Sequence, residues 1–151
     1  MKAFRFRLQR VLNLRETEES QARMDLAAAI RAVAEVEEEN AALRKRILDS
    51  RQELQGRLSS PKELGPLLDH IHSLEGWVDR NEKRKQELEV ERGRRAERYR
   101  EARKDRKMLE SLRDRRKEAH RIEMDRREAG QFEAFVQFNL LENRKRDEES
   151  S

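Results

Sequence analysis

Cysteine is missing from the 151-residue sequence, which excludes a disulfide framework and any thiolate metal site. Proline occurs twice and glycine five times, so few positions can interrupt a helix. Hydrophobic residues make up 34% of the chain and aromatics 5%, where an ordinary globular domain is about 45–50% apolar. That is too little apolar surface for a many-sided core. No run approaches the ~18 consecutive apolar residues of a membrane span. Met1 to Arg10 are basic but lack the apolar stretch of a signal peptide. Gly-rich phosphate loops, GxSxG and HExxH are all missing. His70 and His72 stand two residues apart, on different faces of any helix, and His120 is alone. The expectation is a non-enzymatic chain with no cofactor, no metal and no small-molecule ligand, working in a reducing, cytoplasmic setting.

What is abundant is charge. Asp, Glu, Lys and Arg make up 45% of the residues, 36 basic against 32 acidic, for a net +4. Such polarity is compatible with disorder, but a sustained period argues for helix. From Leu8 a 3-4 spacing runs unbroken through Leu12, Arg15, Glu19, Ala22, Leu26, Ala29, Val33, Val36, Asn40, Leu43, Ile47, Ser50 and Leu54. This is the a/d seam of a coiled coil, in which one stripe per helix is enough to bury. Asn40 at a seam position fixes register at some expense of stability.

The stretch Ser59-Ser-Pro-Lys-Glu-Leu-Gly-Pro66 holds both prolines and a glycine. It predicts a bend between two helices. The fold class expected is all-α, an antiparallel two-helix coiled-coil hairpin with unequal arms. Its parts are a first long helix over 1–58, a bend over 59–66, a second helix over 67–129 with a break near 76, and a C-terminal tail over 130–151. The second arm opens on Leu67, Ile71, Leu74 and Val78, weakens through Lys85, Arg92, Arg95 and Arg106, and recovers at Leu112, Ala119 and Ile122 after a register shift. Acid-to-base pairs such as Glu91–Arg95, Glu97–Arg100 and Glu123–Arg127 support an exposed helix by about 0.2–0.5 kcal/mol each.

Folding back at the bend sets residue i opposite 125 minus i. Residues after about Glu123 then have no partner in the hairpin, and this overhang carries Phe132, Phe135, Phe138, Leu140 and Leu141. A contiguous exposed apolar patch marks an interaction site, so Phe132, Phe135 and Phe138 read as a docking tail. Trp77 beside Ile71, Leu74 and Val78 reads either as packing of the bend against Leu54 and Leu58 or as an anchor for a partner. Residues 80–128 hold twenty Lys/Arg against thirteen Asp/Glu. Phosphate-backbone binding is one reading of that excess. Interleaved acids and the near absence of stacking aromatics favour a solvated face or an acidic protein partner over nucleic acid.

The opening Phe4-Arg-Phe-Arg-Leu-Gln-Arg-Val-Leu-Asn-Leu-Arg-Glu16 and the later Tyr99-Arg-Glu-Ala-Arg-Lys-Asp-Arg-Lys-Met-Leu-Glu-Ser-Leu112 resemble the FliJ family of flagellar type III export proteins. The resemblance implies a coiled coil similar to the central stalk of rotary ATPases. It implies contact with the hexameric export ATPase through Phe4, Phe6, Leu8, Leu12, Leu109 and Leu112. It also implies contact with the export-gate membrane protein through the start of the second arm, at Ile71, Leu74, Trp77 and Val78, and escort of substrate-specific export chaperones. Localisation would be cytoplasmic, peripheral to the inner-membrane export apparatus through these partners. The Phe-rich tail departs from the polar tail of the family, so its role is not inherited. A virulence-type secretion stalk and a basic coiled-coil nucleic-acid binder are the alternatives.

Overall fold

The computed structural model describes residues 2–57 and 61–150. Within them the fold is all-α: helix α1, Gln9–Gly56, and helix α2, Pro61–Glu149, pack as the antiparallel arms of a hairpin, 48 and 89 residues long. By their contacts the residues group into two units, Arg15–Lys104 and the segments Met1–Leu14 with Asp105–Ser151. Every one of the fourteen seam positions read from Leu8 to Leu54 is buried or half-buried. The 3-4 apolar spacing is therefore the cause of the packing in α1.

In the unit Arg15–Lys104 the best-packed part is an aliphatic cluster. Leu43 and Ile47 of α1 meet Ile71 and Leu74 of α2, with Leu54, Leu67 and Val78 against them. Arg51 pairs with Glu75 and Arg44 with Glu82 across the two arms, one residue from the 125-minus-i rule, whereas Asn40–Glu82 and Glu37–Lys85 lie three residues from it and Asp25–Arg95 five. Away from this cluster α1 offers small side chains, Ala22 and Ala29, and α2 answers with long cationic ones. Lys85 Nζ reaches Glu37 at 3.3 Å, and Arg95 Nη1 donates to the Asp25 carbonyl at 2.9 Å. The arginine stem lies along the apolar stripe while its head finds a polar partner at the edge.

Two asparagines interrupt the seam. Asn40 is 2% exposed and Asn81 7%. Asn40 Nδ2 donates to Glu82 at 3.1 Å, but Asn40 Oδ1 and Asn81 Nδ2 are buried without a partner. A buried polar atom left unpaired costs about 1–3 kcal/mol, so this layer lowers stability while disfavouring slipped registers. Asn81 falls three residues after Val78, where the seam of the second arm continues.

The element boundaries differ from those read off the sequence. α2 opens at Pro61, not at Leu67. Proline is favoured in the first helical position, where its absent N–H would have no partner anyway. Glu63 adds a carboxylate near the positive end of the helix. Pro66 lies in the second turn, where it deletes one hydrogen bond and leaves the helix intact. The expected break near 76 does not occur, since α2 is one helix from Pro61 to Glu149, and a Cβ on Gly76 would meet only Arg80 Nη1, at 3.6 Å. The first arm does not start at residue 1, because residues 2–8 lie outside α1. The tail expected over 130–151 is a continuation of α2 to Glu149, in keeping with a stretch free of proline and rich in helix formers. Leu58, Ser59 and Ser60, which the sequence assigns to the end of the first helix and the bend, lie outside the described residues.

Candidate functional site

In the unit formed by Met1–Leu14 and Asp105–Ser151, the opening segment is short and non-helical. Phe4 and Phe6 alternate with Arg5 and Arg7, a period of two that puts both rings on one side of an extended chain. The Phe6 carbonyl then accepts the Gln9 N–H at 3.1 Å, closing the turn into α1. Phe6 is buried, with the Arg116 guanidinium 6.0 Å from its ring centre, the outer range of a cation–π contact. Phe4 is half-buried and its ring lies 5.7 Å from that of His120, tilted by 55°, within the range of an ordinary aromatic pair. Leu12 is completely buried, and Leu8, Leu109 and Leu112 are half-buried.

The residues expected to touch an ATPase ring thus divide in two. Phe6 and Leu12 are internal and can act only by holding the segment in place. Phe4, Leu8, Leu109 and Leu112 retain exposed surface. Beside Phe4 an open groove of about 580 Å³ is lined by Ala3, His120 and Met124, with charged side chains around them. Among these, Lys2, Lys117 and Arg121 are mixed with Asp114, Glu118 and Asp125. The hydrogen bond from Arg121 holds the Glu118 carboxyl below the usual range, and the same bond raises Arg121. Along the same side of α2, Lys2, His120 and Met124 also line a second groove, of about 620 Å³, that reaches Glu128 and Gln131. The groove beside Phe4, with its apolar floor and mixed charges around it, suits a protein surface better than a phosphate chain.

Further along the expected seam the recovery at Ala119 and Ile122 is not observed. Both are exposed, while His120 and Met124 are half-buried. The partner of this stretch is the extended opening segment, which imposes no heptad, so the inward positions follow Phe4 and Phe6 instead. The partners are His120, which stands alone in the sequence, and Arg116: the 125-minus-i rule sets Phe4 opposite 121 and Phe6 opposite 119, one and three residues from them.

The residues expected at the export gate fare differently. Ile71 and Leu74 are 5% and 3% exposed inside the hairpin, and Val78 is packed against the same cluster. Three of the four are engaged in folding. Trp77 is 45% exposed. It belongs to a line of exposed residues, Pro66, His70, Ser73 and Trp77, at 4-3-4 spacing along one edge of α2.

The three tail phenylalanines are all exposed, on helix and not on a flexible peptide: Phe132, Phe135 and Phe138 stand out from α2 with Leu140 and Leu141. The expected pairs Glu91–Arg95, Glu97–Arg100 and Glu123–Arg127 form at 3.0–3.1 Å. Such pairing along one helix breaks up the cationic excess of residues 80–128. Among the described residues, no group of three or more His, Cys, Asp or Glu is arranged to hold a metal ion, and no helix is long and apolar enough to cross a membrane.

The family model described as Flagellar FliJ protein matches residues 4–148. No curated protein and no solved structure matches the chain.

Proposed function

The chain belongs to the FliJ family, and from that premise we propose that it serves as the stalk of the export ATPase ring. Membership itself makes it a component of flagellar type III protein export, in a family of non-catalytic proteins. The observation that carries the finer reading is the opening segment. Buried Phe6 and Leu12 pin it, and Phe4 is left at the lip of a partly apolar groove. A ring of six like subunits has no match in a two-helix protein, so each subunit meets a different face. Where those contacts favour one nucleotide state of a subunit over another, binding shifts the populations of the ring.

Under this reading Phe4, Leu8, Leu109, Leu112 and the groove residue Met124 offer surface to the ATPase, whereas buried Phe6 and Leu12 position the segment. The export-gate membrane protein is assigned to the edge bearing His70 and Trp77, since Ile71 and Leu74 are inside the hairpin. Substrate-specific chaperones are the third class of partner proposed, by family alone.

The test is a titration of the chain into the export ATPase of the same organism, following ATP hydrolysis and ring size together. The expected result is faster hydrolysis with hexamer formation. Phe4→Ala should weaken both, raising the half-maximal concentration about tenfold if it removes about 1.4 kcal/mol of contact. No change in hydrolysis or assembly with the native chain would overturn the proposal.

A further inference from the structure

Between Glu128 and Arg144, α2 carries only two charged residues, Glu133 and Glu142, in a chain that is 45% charged. The large apolar residues there are open to solvent: Phe132 is 68% exposed, Phe135 62% and Phe138 59%. All are on one uninterrupted helix. Among them runs a second heptad stripe. Glu128, Gln131, Phe135, Phe138, Glu142 and Lys145 follow one another at 3-4-3-4-3 spacing, with Phe132 and Leu141 on its two flanks.

We propose that this stripe pairs with the same stripe of a second copy of the chain, antiparallel, about a two-fold axis between Val136 and Gln137. The charges select both the occupant and its direction. In the antiparallel arrangement Phe135 meets Phe138 of the second copy, and Glu128 meets its Lys145. The flanking positions pair Asp125 with Arg146 and Arg127 with Glu148, extending the in-helix pairs Arg121–Asp125 at 2.8 Å and Glu123–Arg127 at 3.0 Å. A parallel pair would instead set Glu128 on Glu128, Glu142 on Glu142 and Lys145 on Lys145, and like charges in contact are destabilising. The symmetry is that of a closed dimer, in which each patch is its own complement. Six phenylalanines at roughly 150 Å² each, with the two flanking leucines, reach the approximately 1,000 Å² of a specific interface.

Sedimentation equilibrium on the full chain tests this. A concentration-dependent dimer is expected. The double substitution F135S/F138S should weaken it by at least about 30-fold, the effect of losing hot-spot side chains, with helix content by circular dichroism unchanged because both residues are exposed. E128K and K145E should each weaken the dimer, and E128K/K145E together should restore it. The native chain has no cysteine, so direction can be read by oxidation. A mixture of Q131C and E142C chains should form the mixed disulfide, and neither variant should cross-link to itself. A native chain that stays monomeric throughout, a dimer indifferent to F135S/F138S, or self-linking of Q131C would each overturn the proposal.

Discussion

Two groups of apolar side chains on α2 look alike in sequence and have opposite fates. Leu67, Ile71, Leu74 and Val78 close the hairpin against Leu43 and Ile47, and Leu74 keeps 3% of its surface. Phe132, Phe135 and Phe138 face solvent, with Phe135 at 62%. Both groups recur at helical spacing. What separates them is whether a partner arm lies opposite, and that depends on where the chain turns and how long each arm is. The first group makes the protein fold. The second has no partner arm among the described residues, and it is the surface on which the proposed dimer rests.

The largest expected effect breaks the first group. Leu74→Ala should lower unfolding free energy by about 2–5 kcal/mol in urea denaturation, whereas Phe135→Ala, measured in the same way on the monomer, should stay within about 0.5 kcal/mol. Equal losses would mean that the Phe group has a partner inside the chain after all. Next comes the polar layer between the arms. Replacing Asn40 and Asn81 together with leucine removes two unpaired buried atoms and should stabilise by about 1–3 kcal/mol. The same variant should also admit slipped registers, seen as a lower yield of the single 51–75 disulfide when cysteines are placed at Arg51 and Glu75.

Smaller effects test the continuity of α2. Gly93 and Gly130 have nothing within 4 Å of an added Cβ, so alanine at either should stabilise by about 0.5–1 kcal/mol, read as a rise in Tm. A fall at either site would show that the helix bends there. The smallest effect expected is from Glu97→Gln, which breaks the exposed pair with Arg100 and should change stability by no more than about 0.5 kcal/mol. The Glu118–Arg121 bond should respond to pH in one direction. With the Glu118 carboxyl lowered, its contribution is complete at neutral pH and fades only on acidification through the carboxylate range.

The hairpin, and its register to within one to five residues, are legible because they rest on local rules: 3-4 apolar spacing, a Pro-Gly cluster, and an arithmetic of opposite residues. The same rules were misleading where a helix tolerates what usually ends it. Pro61 and Pro66 are both accommodated within the first two turns of α2, and Gly76 in an uninterrupted run, so boundaries drawn at those residues are displaced. The opening segment was only half legible. Its phenylalanines drew attention, but their partners Arg116 and His120 have no pattern of their own and emerge only from the pairing across the hairpin. Ile71 and Leu74 show the reverse: a resemblance assigned them to an outside partner, and packing against Leu43 and Ile47 engages them first.

The measurement that bears most directly on the stalk reading uses the absence of cysteine. Single cysteines would be introduced at Met124, in the groove beside Phe4, and at Leu48, an exposed residue of α1. Maleimide labelling rates would be compared with and without the export ATPase hexamer. Strong protection of the cysteine at 124 and little change at 48 are expected. Equal labelling of both in the presence of a bound ATPase, or protection at 48 alone, would contradict the stalk reading.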